Sequence, residues 1–216
     1  MSYVKKSLLL TLASLIATSA FAADTADLKV IGSIVPTACT PVFSGGGVVD
    51  YGTIILTDLS PTAMTKLAPK NISYTVTCDA PISIGLSWLD SRGPTVNDDE
   101  HIYATDFGLG LHEGVKIGRY DIAFDGTSTI ADGEKADLIY RIGKDGVWAP
   151  SASTGHVIPN GARTFALAPP GTIAPGAYRV ISGGLIVTAS IGRTDRLELN
   201  TAIQLDGLST MIVNYL

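Results

Sequence analysis

Charge is scarce in this chain, and positive charge is nowhere concentrated. Asp, Glu, Lys and Arg make up 16% of its 216 residues, and the formal net charge is −5. An acidic chain without a Lys/Arg cluster is a poor partner for nucleic acid or an anionic membrane surface. Histidine is nearly missing: His101, His112 and His156 are scattered, with no spacing like that of a metal-binding helix or hairpin. No serine sits in a Gly-x-Ser-x-Gly elbow. The glycines at 45–47 and 183–184 lack the strand-to-helix context of a phosphate loop and read as turns or bulges. Asn97-Asp98-Asp99-Glu100 lacks the alternating ligands and central glycine of a calcium loop, so it reads as solvated surface. These absences argue against an enzyme and lead us to expect neither metal nor cofactor. Helical periodicity is absent as well, with at most one turn near 61–67.

Long apolar runs are missing after the first residues. Lys5 and Lys6 precede the run Leu8 to Ile16, and Ala20-Phe21-Ala22 follows it. This is the pattern of a secretory signal peptide over residues 1–22, cut before Ala23. The competing reading, a retained anchor, calls for ~20 apolar residues. Every later run is broken by Gly, Asp, Arg or Pro. Removing the signal takes two lysines and no acids, so the charge becomes −7. Cysteine is limited to Cys39 and Cys78. In an exported chain one such pair most simply forms a disulfide, whose loop closure contributes roughly 4 kcal/mol. A metal site or a catalytic thiol is the alternative, but no histidine lies near either cysteine.

What is present is β punctuation: short runs of Val, Ile, Thr and Leu between Gly, Pro, Asp and Asn. Strands are expected near 28–35, 51–57, 71–78, 82–88, 107–112, 115–124, 136–142, 163–168, 178–191, 196–205 and 208–215. Ile82, Ile84, Leu86 and Trp88 alternate with Ser83, Gly85 and Ser87, as a half-buried strand does. Many short strands separated by turns predict two packed antiparallel sheets in one domain, 36–216, with a polar excursion from Asp90 to His101. Alternation also marks both extremities, in Leu28-Lys29-Val30-Ile31-Gly32-Ser33-Ile34 and in Met211-Ile212-Val213-Asn214-Tyr215-Leu216. Tails are usually polar and frayed. A strand at each extremity suggests that one of them pairs outside its own fold.

Val30-Ile31-Gly32-Ser33-Ile34-Val35-Pro36-Thr37-Ala38-Cys39 resembles the amino-terminal signature of chaperone–usher pilus subunits. Cys78 is similar to the partner cysteine of that family, and the run from Met211 to Leu216 resembles its closing strand with a penultimate tyrosine. Cys78-Asp79-Ala80-Pro81 followed by Asp90-Ser91-Arg92 is also similar to a group of fimbrial-like proteins of Gram-negative bacteria. The resemblance implies an immunoglobulin-like antiparallel β-sandwich that lacks its last strand and is completed by a donated one. It implies a periplasmic chaperone, an outer-membrane usher and neighbouring subunits as partners, a location on the cell surface, and contact with a host or surface glycan. Two departures stand out. Ile203 occupies the place where many pilins carry glycine, the nearest glycine being Gly207, and the chain is longer than a standard rod subunit.

Mapped onto this chain, the resemblance makes residues 23–35 a donor extension. Leu28, Val30, Gly32 and Ile34 then share its inward face, and each buried aliphatic side chain contributes on the order of 1.5–3 kcal/mol before ordering costs. Gly32 suits a place where two backbones approach closely; a plain β-bulge is the other reading. Met211, Val213 and Tyr215 share the face of the strand expected to border the groove and to pair with a chaperone. The bland alternative is an ordinary closing strand of a complete sandwich. A complete fold carrying a carbohydrate- or surface-binding site is the second functional reading, with Trp88, Trp148 and Tyr103 as stacking platforms beside Asp90, Arg92 and Asp98.

Overall fold

The computed structural model describes residues 28–32 and 38–216. The chain divides after Val35, and residues 28–32 carry no regular secondary structure, with Leu28, Val30 and Ile31 exposed. Ile34, the expected signal peptide and residues 23–27 lie outside the described residues. The fold is that of the unit beginning at Pro36.

That unit is all-β. Its strands are β1 (Cys39–Phe43), β2 (Thr65–Lys66), β3 (Lys70–Ile82), β4 (Ile84–Asp90), β5 (Phe107–Gly108), β6 (Leu111–His112), β7 (Val115–Lys116) and β8 (Gly118–Ala131). They continue with β9 (Glu134–Lys135), β10 (Asp137–Ile142), β11 (Ala149–Pro150), β12 (Thr154–His156), β13 (Arg163–Ala168), β14 (Tyr178–Ile191) and β15 (Ser209–Tyr215). One sheet runs β1-β3-β14-β8-β12, with β2, β5 and β9 pairing at the ends of its long strands. The other runs β11-β10-β13-β4-β15, and β6 and β7 form a separate hairpin. These strands pair antiparallel throughout, and the two sheets make a β-sandwich.

The period-two patterns explain which face each strand buries. On β4, Ile84, Leu86 and Trp88 turn into the core, all but fully buried. On β8, Tyr120, Ile122 and Phe124 do the same, and β14 supplies Leu185, Val187 and Ala189. Aromatic rings meet in the middle: Phe124 lies edge-on to Tyr74 at 5.4 Å and packs against Phe165 at 4.8 Å. Offset and edge contacts of this kind add to the burial itself. Ser83 alone separates β3 from β4, so the chain changes sheets at a single residue. Pro81, which has no N–H to donate, lies where the β3–β14 register shifts. A second register shift falls where Ser128 Oγ accepts from Gly184 N at 2.8 Å, so Gly184 marks a bulge rather than a turn.

Cys39 and Cys78 face each other across the β1–β3 register and form the disulfide. Besides the strand expected near 28–35, whose described residues 28–32 form none, two expected strands are not strands. Residues 51–55 form no strand and lead into a single 3-10 turn, Leu56–Asp58, while the Tyr51 hydroxyl bonds β14. Residues 196–205 alternate in sequence but find no partner strand, and only Leu197 on that stretch is buried. Near 61–67 the chain bends and enters β2 without a helical turn. β1 itself carries Pro41 and runs into Gly45, Gly46 and Gly47 at positive φ. The weak strand character of those residues hides it from pattern reading.

Candidate functional site

β15 pairs with β4 along one side and with no strand along the other among the described residues. In that register Met211 stands opposite Trp88, Val213 opposite Leu86, and Tyr215 opposite Ile84. The three β4 residues are buried, whereas cover is lost along β15: Met211 is 7% exposed, Val213 is half-buried and Tyr215 is 53% exposed. The inward row of β15 is thus progressively less covered toward Tyr215.

At the start of β15 an apolar cleft of about 200 Å³ lies between the two sheets, lined by Ser209. Phe43, Val49 and Tyr51 form one wall, and Leu205, Leu208 and Ser209 form the other. Trp88, Ile122, Leu185 and Val187 floor it. Tyr51 is held in its wall by two bonds to β14: its hydroxyl donates to Val187 O at 2.9 Å and accepts from Ala189 N at 3.0 Å. Burial pushes its pKa up. Tyr120 lies at the same cleft beside Ser209, and burial pushes its hydroxyl up to about 12. The Trp88 indole N–H is buried with no hydrogen-bond partner among the described residues.

The other end of β15 is tied to β1. Cys39 N donates to the Tyr215 hydroxyl at 3.0 Å, joining the first residue of β1 to the last of β15. The outward residues of β15 are occupied otherwise, with Asn214 Nδ2 donating to Ser87 Oγ at 2.9 Å.

The residues of the carbohydrate reading are not gathered in one place. Trp88 is buried in the core. Trp148 packs on Ile139, Ala166 and Ala168 on the second sheet, with the Arg141 guanidinium 4.8 Å from its ring centroid. Tyr103 is exposed on the excursion, edge-on to His101 at 4.7 Å. Asp90 accepts from Gly108 N and Arg92 N, and Arg92 forms a two-bond ion pair with Asp206. Asp98 pairs with Lys116 at 3.1 Å, and that hydrogen bond lowers its pKa. The acidic run at 97–100 is therefore not a free solvated loop: Asn97 is buried and bonds Lys116 O, and Asp99 accepts from Arg193 N and pairs with Arg196. Among the described residues no group of three or more His, Cys, Asp or Glu is placed to hold a metal ion.

Pattern reading identifies the β15 row but not the Tyr51 wall or the Trp88 floor. Alternation tells which face a side chain takes, not whether that face is covered. Tyr51 opens a stretch that reads as a strand, and nothing in the sequence tells that its hydroxyl bonds β14 instead.

Comparison with known proteins fits this architecture into a lineage. Residues 28–107 match the family described as "Protein of unknown function (DUF1120)". "Protein GltF" of Escherichia coli (strain K12) is 32% identical over 239 aligned positions, covering 94% of this chain and 94% of that protein. "Uncharacterized protein YhcF" of the same organism is 31% identical over 160 positions, covering 65% of this chain and 67% of its own. With such identity sustained along nearly the whole of both chains, the protein belongs to the family that includes Protein GltF.

Proposed function

We propose that the protein is a structural subunit of a chaperone–usher fimbria that polymerises by accepting an extended segment of a neighbouring copy along β15. The observation that carries this reading is the β15 edge, unpaired among the described residues, whose start lies at an apolar cleft of about 200 Å³. An exposed edge is a liability that folds normally guard. The other free edges here are guarded: β11 and β12 are two and three residues long, β11 ends in Pro150, and β1 contains Pro41. β15 is seven residues long with neither proline nor charge. Strand addition uses such an edge for backbone bonds and the cleft for alternate side chains.

The donor segment is residues 23–35, with Leu28, Val30, Gly32 and Ile34 inward. Its described part, 28–32, carries exposed apolar side chains, as an unspent donor requires. Before assembly a periplasmic chaperone covers the same edge, at Met211, Val213 and Tyr215. The disulfide agrees with passage through an oxidising compartment on the way to the cell surface. The glycan-binding reading loses its proposed platform, since Trp88 is core and Asp90 and Arg92 hold loops.

The test is the assembly state of the full oxidised chain. The wild type gives a ladder of detergent-resistant oligomers by size exclusion and unheated gel electrophoresis. Gly32→Lys, which puts a long charged side chain where the donor meets the groove, leaves monomer. Monomer for both, under conditions where the chain is folded, contradicts the reading.

A further inference from the structure

The groove has an open end and a bridged end. Phe43 and Ser209, the end of β1 and the start of β15, both line the cleft. At the other extremity the Tyr215 hydroxyl accepts the Cys39 N–H at 3.0 Å. We propose that Tyr215 is a gauge that holds β1 and β15 one strand-width apart, so that an incoming strand finds its place already formed. This rests on the reading of the groove as a strand acceptor.

The argument is one of reach. Two strands with a third between them lie two spacings apart, ~9.6 Å. A side chain that leaves the inner face of β15 and ends on the backbone of β1 has to cross a gap of that order. Tyrosine does so with a rigid ring and few torsions, and its terminal hydroxyl both fixes the distance and satisfies an edge N–H. The far side of the bridge is firm. Cys39 is bonded covalently to Cys78 on β3, and the preceding residue is tied to the same strand, Ala38 N donating to Asp79 Oδ2 at 3.3 Å and Asp79 N to Ala38 O at 3.0 Å. The near side is tied on its β4 side only, by the Tyr215–Ile84 pairing and by Leu216 N donating to Ser83 O at 3.1 Å, and Tyr215 and Leu216 are 53% and 43% exposed. Without the bridge this end of β15 frays or closes over the gap. With it, the ordering cost of binding is met before the partner arrives.

The experiment uses the full oxidised chain carrying Gly32→Lys, so that its own segment does not compete, and a fluorescent peptide of residues 23–35. Uptake is followed by anisotropy. Adding Tyr215→Phe, which keeps the ring and removes the hydroxyl, is expected to slow uptake and weaken affinity about threefold or more, as loss of one hydrogen bond allows. Ile139→Val, in the cluster under Trp148, lowers stability without changing the uptake rate, which separates positioning from general destabilisation. Uptake by Tyr215→Phe that is unchanged or faster overturns the gauge, a faster rate marking Tyr215 as a latch instead. No uptake by the Gly32→Lys parent removes the strand-acceptor reading and the gauge with it. Should Tyr215→Phe fail to fold, amide exchange at Cys39 in the parent protein decides. Protection retained with peptide bound supports the gauge, and protection lost on binding overturns it.

Discussion

Tyr120 lines the cleft beside Ser209, and burial pushes its pKa to about 12. In the unfolded chain a tyrosine titrates at ~10. The folded state therefore holds this proton more tightly, and the stability it contributes is present below pH ~10 and lost as pH rises toward 12. Tyr74, whose pKa burial also raises, acts in the same direction. Urea unfolding is expected to give a flat stability between pH 7 and 9 and a decline above ~10, made shallower by Tyr120→Phe. A decline of equal slope in that variant contradicts the assignment. At this scale the sequence is a partial guide. The inward row Met211, Val213 and Tyr215 follows from alternation alone, but the tyrosines that frame the groove do not. Their placement depends on hydrogen bonds to strands more than a hundred residues away, such as Tyr51 to Val187 and Ala189.

Among elements, the excursion between β4 and β5 is the clearest case of structure hidden from pattern. It reads as a polar loop, yet Arg119 and Asp106 form an ion pair at 3.2 Å with side chains only 10% and 8% exposed. Arg119 also donates to His101 O, and Tyr103 N donates to Asp106. Arg119→Ala leaves Asp106 buried and unpaired, a change expected to cost about 3–5 kcal/mol. Limited proteolysis then cuts within 97–106 while leaving β3 and β14 protected; an uncut excursion at unchanged stability refutes the clamp. The strand expected at 196–205 fails for the converse reason. It has the alternation of a strand but pairs with no strand among the described residues, and pairing, not propensity, makes a strand. The strands at 71–78 and 178–191 are legible because one face is buried along most of their length, and 208–215 because its alternation is unbroken.

For the whole molecule, a β-sandwich is legible from composition and turn spacing, while the sheet order is not, since β3 pairs with β14 across about a hundred residues of chain. The disulfide ties the edge strand β1 to that sheet, and Cys39→Ser with Cys78→Ser is expected to cost about 2–5 kcal/mol in thermal or denaturant unfolding. A double variant as stable as the wild type contradicts that role. The account centres on a fold that leaves one place for a strand. The most direct measurement is the thermal midpoint of the full oxidised chain carrying Gly32→Lys, titrated with the peptide of residues 23–35. At about a hundredfold excess over Kd the bound peptide adds ~2.7 kcal/mol, a rise of roughly 5–10 °C for a domain of this size. The account predicts that rise with the native peptide and none with a Gly32→Lys peptide. A midpoint that neither peptide moves means the sandwich is already complete, and contradicts it.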